Sequence, residues 1–269
     1  MRSLALVAPI LLFCAACGQK VDHPAAAAGC DPSVMKCLYT SPPSGSGSGN
    51  EAGASSSGEE VTTLSGDVLV LGEDSFDPGI KLSTAAQVTA SGENRARVMA
   101  NYDGMSFQLE GALKDAANWF LVTPEAKSGM APTLLPVDTR ATGTVSVGVV
   151  SAVVMDTIFL SLNNDRSLER AQVVLRVVDA QGRSVVGAHA SASAMPEILA
   201  YRQAGTWLRD NSGTDLLTDD SGLILLGNVQ AGAALSTLRI TLSGASTSRV
   251  DVEIVAGATT LVTAVVAAK

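Results

Sequence analysis

Val173-Val174-Leu175-Arg176-Val177-Val178, Asp179-Ala180-Gln181-Gly182 and Arg183-Ser184-Val185-Val186-Gly187-Ala188-His189-Ala190 form one continuous stretch, and its reading decides the fold. It holds strand formers, a turn, and small apolar residues that re-enter a strand. Further on, Thr218-Asp219-Asp220-Ser221-Gly222 makes a second turn, and Leu223-Ile224-Leu225-Leu226 leaves it as a buried strand. β-Branched residues pack well on a pleated surface, while Asp and Gly supply the backbone angles of tight turns. No run between residues 171 and 232 keeps a 3.6-residue period, so strands joined by hairpins are the economical reading.

The pattern recurs earlier. Residues 65–71, 86–90 and 96–100 read as strands. Asp103-Gly104 reads as a turn, and Ser106-Phe107-Gln108-Leu109-Glu110-Gly111 alternates apolar and polar as a half-buried strand does. Trp119-Phe120-Leu121-Val122 follows. In both halves an Asp-(x)-Gly turn leads into an apolar strand that ends near a glycine. This is a degenerate repeat of one domain type, too long in its unit for a solenoid.

Both halves resemble the carboxypeptidase regulatory-like domain, a small sandwich related to transthyretin. Val185-Val186-Gly187-Ala188 matches that family's "V-x-G-A" segment. Residues 218–227 match its "T-D" segment, with Ile224 where Phe is usual, and residues 102–111 match the same segment less tightly. The family's proline before "V-x-G-A" is absent, and the first half carries an insert at residues 72–83. The resemblance implies two tandem antiparallel β-sandwiches, an all-β fold, over residues 61–150 and 171–269. It implies little about function. Between the units, residues 151–162 read as a short helix capped by Ser151, with Val154, Ile158 and Leu162 on one face, buried between the domains; a continuing strand is the alternative.

The chain opens with the basic Arg2, an apolar run over residues 4–13, and Cys14-Ala15-Ala16-Cys17. That is a secretory signal over residues 1–16, too short to span a bilayer. Cys17 resembles the lipid-modified cysteine of bacterial lipoproteins, with Cys14 where leucine is usual. The resemblance implies a membrane anchor carrying acyl chains such as palmitate. Gly18 stands where an Asp would retain the protein at the inner membrane, which favours the outer membrane. Cys30 and Cys37 are then a disulfide pair in an exported chain, and closing so small a loop adds about 2–3 kcal/mol of local order. Ser33-Val34-Met35-Lys36 fits the S-x-x-K pattern of β-lactam-acylating enzymes but lacks the companion motifs, so chance is the better reading. Residues 41–60 are a Ser/Gly/Pro-rich linker with nothing to bury. From Cys17 to Val61 the tether averages about 35–40 Å end to end if flexible.

Near the end, residues 235–243 and 250–255 alternate as half-buried strands do, and residues 259–267 read as a last apolar strand. Only 4% of the 269 residues are aromatic, so the cores must be built from Val, Leu and Ala. Trp119 and Trp207 read as core or interface anchors before they read as ligand platforms. The net charge of −8 argues against nucleic acid as a partner. There is no paired His–Cys or His–Ser, no phosphate-cradling loop and no metal-ligand cluster, so no cofactor is expected. Asp210-Asn211-Ser212-Gly213-Thr214-Asp215 spaces oxygen ligands like a calcium loop but lacks the closing Glu, and reads as a solvated turn.

Three functions stay open. The first is a non-enzymatic, lipid-anchored envelope protein that docks a protein partner or serves as a structural subunit. The second is a glycan-binding module with Tyr201, Arg202 and Trp207 as its platform. The third is a hydrolase assembled from distant residues. Exposed stacked aromatics favour the second; buried tryptophans favour the first.

Overall fold

The computed structural model describes residues 61–91, 97–114, 117–139, 144–211, 216–244 and 247–266. Cys17, Cys30, Cys37, the linker and most of the calcium-like segment lie outside the described residues.

The first half of the chain runs β1 (Val61–Leu71), β2 (Pro78–Lys81), β3 (Ala86–Ser91), β4 (Arg97–Tyr102), β5 (Phe107–Leu113), β6 (Ala117–Pro124), β7 (Met130–Ala131), β8 (Thr133–Asp138) and β9 (Thr144–Ser151). One helix follows, α1 (Ala152–Ser161). The second half runs β10 (Ala171–Val178), β11 (His189–Ala192), β12 (Ile198–Gln203), β13 (Thr206–Arg209), β14 (Leu223–Val229), β15 (Ser236–Ser243), β16 (Ser248–Ile254) and β17 (Thr259–Val265). The all-β expectation holds.

The repeat is visible in the pairing. In the first half β1 lies between β5, antiparallel, and the last strand β9, parallel. In the second half β10 lies between β14, antiparallel, and the last strand β17, parallel. The antiparallel partner is entered each time through an aspartate-capped turn. Asp103 Oδ1 accepts from the Met105 and Ser106 amides at 2.9 and 3.1 Å; Asp219 Oδ1 accepts from the Ser221 amide and hydroxyl at 2.9 and 2.7 Å. Gly104 and Gly222 sit at φ +94° and +66°, where a side chain would be strained.

The two halves are joined by one sheet. Nine strands run in the order β13-β12-β14-β10-β17-β8-β6-β3-β4. The junction is the parallel pair β17–β8, with Thr259 opposite Thr133 and Thr260 opposite Leu134. A five-stranded sheet holds β1, β2, β5, β7 and β9, and a three-stranded sheet runs β11-β15-β16.

Alternation along the strands sends side chains to two separate cores. Val174, Ala200, Leu225 and Leu261 belong to the core that the first half also fills, with Val88, Phe120 and Leu135. Their neighbours Val173, Tyr201, Ile224 and Val262 belong to the other core, shared with Leu238, Ile240 and Val252 of the three-stranded sheet. A period of two puts successive residues on opposite faces, so the long sheet carries one core on each face. β10 and β14 are covered on both sides and are apolar almost throughout, whereas β15, with one face in water, buries Leu238, Ile240 and Leu242 and exposes Thr237 and Arg239.

The helix reading of residues 151–162 is the one the chain adopts, with two corrections. Ser151 occupies the capping position but makes no side-chain cap; the Ala152 amide donates instead to the Gly129 carbonyl at 2.9 Å. The helix is buried on one face only. Val154, Met155, Ile158 and Phe159 face the first core, while Val153 and Leu160 are 68% and 66% exposed.

Behind the helix, Asn228 ties the connection down. Its amide donates to the Asp165 carbonyl at 3.0 Å and to Glu197 Oε2 at 3.1 Å. Its oxygen accepts from the Ser167 amide at 2.9 Å and the Gln172 side chain at 3.2 Å. Three of these four bonds hold residues 165–172 against β14, and the fourth goes to Glu197 before β12.

Candidate functional site

Tyr201, Arg202 and Trp207 are not gathered on one exposed face. Tyr201 and Arg202 are adjacent on β12 and so point to opposite sides of the sheet. Tyr201 is fully buried in the second core, where its hydroxyl accepts from the Ala190 amide at 3.0 Å. Burial pushes its hydroxyl up to about 12, helped by the nearby Asp210 and opposed by the Ala190 bond, so it stays protonated at neutral pH. Arg202 pairs across the hairpin with Trp207, on the face of the first core. Trp207 is 8% exposed, a buried anchor and not a platform.

The two tryptophans cross over. Trp119 comes from the first half and packs into the second core; Trp207 comes from the second half and packs into the first.

Arg202 is committed to the insert at residues 72–83. It donates to Asp74 Oδ1 at 2.9 Å and to the Asp74 carbonyl. Arg176, two positions after Val174 on the same face of β10, donates to Asp77 Oδ1 at 2.9 Å and to the Ser75 carbonyl. Between these grips Phe76 is inserted beside Val174, Leu223 and Leu261. Phe76 is 6% exposed and sits at φ +56°, unusual for a bulky side chain. The Phe76 amide closes the turn by donating to the Gly72 carbonyl at 3.1 Å. The insert is therefore a plug that the first half sets into the second. Sequence reading took it for a departure from a motif; the signal it carried was an aromatic residue flanked by Glu73, Asp74 and Asp77.

Beside the plug region a cleft of about 790 Å³ opens where the C-terminal end of α1 meets β13. Ser161, Leu162 and Asn163 form one side; Trp207, Leu208, Arg209 and Asn211 form the other. Asn163 terminates the helix at φ +53°, a conformation asparagine tolerates. Beneath the cleft the Asp210 side chain is fully buried, with Oδ2 3.9 Å from His189 Nε2. The His189 ring stacks on Tyr201 at a centroid distance of 6.0 Å. His189 Nε2 has no hydrogen-bond partner and is not aligned on a hydroxyl nucleophile. Among the described residues no group of three His, Cys, Asp or Glu could hold a metal, and no helix is long and apolar enough to cross a membrane.

Three turn aspartates are held more acidic than usual by the fold, as is Asp251 of β16 through its bond from Arg239. The Ser106 and Met105 amides hold the Asp103 carboxyl below the usual range. Arg183 does the same for Asp179, through a side-chain bond of 2.7 Å and its own backbone amide. Burial pulls Asp219 upward, but its bonds from Ser221 and the Ala204 amide outweigh that and leave it lowered. A lowered folded value contributes stability above the unfolded value, about pH 4, and loses it as pH falls through the folded value. The melting midpoint is thus expected to drop below about pH 4. Replacing the three turn aspartates by asparagine keeps the acceptor but removes their titration, and should make that acid limb shallower in thermal melts, with the share of Asp251 left. Superimposable acid limbs would contradict this role.

No family model matches the chain, and no curated protein matches it. Solved structures with similarity include the Bacillus anthracis TIE protein (13% identity, TM-score 0.23, covering 77% of this chain and 34% of that one). Others are a streptococcal ancillary pilin (10%, 0.26, 77% and 69%) and the pilus backbone RrgB from Streptococcus pneumoniae (8%, 0.23, 72% and 58%). The chain spans about a third of the first of these and over half of the third. At these scores the likeness assigns no activity and no partner to this chain.

Proposed function

We propose that this is a non-enzymatic, lipid-anchored protein of the bacterial cell envelope that presents one rigid β-rich head for protein–protein assembly. The head consists of two β-sandwich units of the carboxypeptidase regulatory-like kind, spanning residues 61–150 and 171–269. The observation that carries the proposal is the shared nine-stranded sheet with a core on each face. Two binding modules that act independently need only a linker. Here strand pairing, exchanged tryptophans and an inserted loop join the units, as suits a spacer or subunit that must hold its two ends in fixed relation. Cys17 would anchor the head in the outer membrane, the Cys30–Cys37 disulfide would order the start of the tether, and residues 41–60 would hold the head away from the bilayer.

The test is mild-detergent purification of the full chain from its native envelope, beside a Cys17→Ala variant. The expected result is a stoichiometric protein partner with the wild type, and loss of the variant from the membrane fraction. A variant that remains membrane-bound would contradict the anchor, and recovery without any stoichiometric partner would contradict assembly.

A further inference from the structure

We propose that His189 and Asp210 form a pH-sensitive latch between the two sheets that enclose the second core, closed when the imidazole is protonated. This goes beyond assembly and does not depend on it.

The two residues belong to different sheets. His189 opens β11, an edge strand of the three-stranded sheet, opposite Ser243 of β15. Asp210 follows directly on β13, an edge strand of the nine-stranded sheet, and its amide donates to the Leu199 carbonyl at 2.8 Å. The margin where these edges meet already carries one link between the sheets, the Ala190 amide on the Tyr201 hydroxyl at 3.0 Å.

A second link is half made. His189 Nε2 is shut off from water and has no hydrogen-bond partner. Asp210 Oδ2 lies 3.9 Å away, beyond the roughly 2.7–3.2 Å of a hydrogen bond. A neutral imidazole offers that carboxylate either a lone pair, which it repels, or an uncharged N–H. Protonation puts a charged donor on Nε2, and a charged pair out of bulk water attracts more strongly than one on the surface. The His189 side chain keeps 17% exposure, so protons reach the ring, whereas the Asp210 side chain is at 0%. Asp210 has a further interaction besides this one, which holds the carboxylate in place while the ring moves to it. The ring has a flat surface to move on, since it stacks on Tyr201.

The neighbouring groups leave the switch to this pair. Tyr201 on β12 stays protonated through the neutral range. Arg202 of β12 is bonded to Asp74, Arg209 of β13 donates to the Glu197 carbonyl, and Arg239 of β15 is paired with Asp251. The Thr218 hydroxyl, beside Ala188, is held between the Ala188 amide and the Val185 carbonyl. The charged form of His189 thus gains its partner in the folded state. The stability it contributes is present below the ordinary histidine value, about pH 6.5, and is lost as pH rises above it. That window is separate from the carboxylate limb below about pH 4. Acidification therefore fastens the end of the β12–β13 hairpin to β11, and neutral pH releases it.

The experiment is urea unfolding of the detergent-solubilised full chain at about pH 8 and about pH 5.5, for wild type, His189→Gln and Asp210→Asn, with amide exchange on the wild type. His23 is common to all three proteins, so the comparison cancels it. Relative to His189→Gln, the wild-type folding equilibrium constant should rise about tenfold on acidification, and Asp210→Asn should show no such rise. In the wild type, protection of the Ala190 and Asp210 amides should rise relative to the amides of β6 over the same interval. Equal pH dependence in wild type and His189→Gln overturns the proposal, as does a rise that survives in Asp210→Asn. Should either variant fail to fold, the wild-type amides decide alone: relative protection that stays flat or falls on acidification overturns it.

Discussion

Phe76→Ala is expected to destabilise the protein by about 3–5 kcal/mol, although Phe76 belongs to a surface loop in sequence terms. The ring is buried beside Val174, Leu223 and Leu261, so its removal leaves a cavity between the halves. The strain at φ +56° is not relieved, because alanine at that angle is strained too. Arg202→Ala is the comparison. Its partner Asp74 has a side chain 91% exposed while its own is 14% exposed, so the substitution removes a half-solvated ion pair worth about 1 kcal/mol and some stem packing, still short of the cavity left by Phe76→Ala. Urea unfolding of the two variants separates the possibilities. If Arg202→Ala costs as much as Phe76→Ala, charge and not the plug joins the halves.

Gly66→Ala is expected to cost about 3 kcal/mol or more. Gly66 lies on β1 between Val145 of β9 and Phe107 of β5. A methyl group there would fall on the Val145 carbonyl oxygen and within 2.8 Å of the Phe107 ring. The backbone oxygen cannot swing away without breaking the parallel β1–β9 pairing. The whole five-stranded sheet should loosen, seen as a lower urea midpoint and as rapid amide exchange in β9. A change below about 0.5 kcal/mol, the usual size for a tolerated surface substitution, would mean that β1 and β9 are not packed this closely.

Much of this architecture is legible in the residues. The apolar, β-branched runs predict β10, β14 and β17, and the two Asp-(x)-Gly turns predict entry into β5 and β14. Those signals are local, since strand propensity and turn chemistry act over a few positions. What is not legible depends on distance in the chain. Arg176 and Arg202 read as ordinary strand charges until Asp77 and Asp74 are brought to them from 99 and 128 positions away. The placement of one core on each face of a common sheet rests on the β8–β17 junction, which spans only two residue pairs and leaves no motif. The Tyr201–Arg202–Trp207 platform is the clearest lesson. Closeness in sequence suggested a shared surface, but alternation along β12 puts Tyr201 and Arg202 on opposite faces. Conversely, Asn163 and Arg209 of the cleft come from a helix end and a strand end that no spacing rule connects.

The central claim is that both halves fold as a single cooperative unit. The two tryptophans allow a direct test, because Trp119 reports on the second core and Trp207 on the first. Thermal unfolding followed by fluorescence in Trp207→Phe and Trp119→Phe, beside calorimetry of the wild type, reads each core separately. The account predicts one transition in wild-type calorimetry, with equal calorimetric and van't Hoff enthalpies, and one transition in each variant seen alike by its remaining tryptophan and by far-ultraviolet circular dichroism. Two resolved transitions, with one core melting while the other persists, would contradict it.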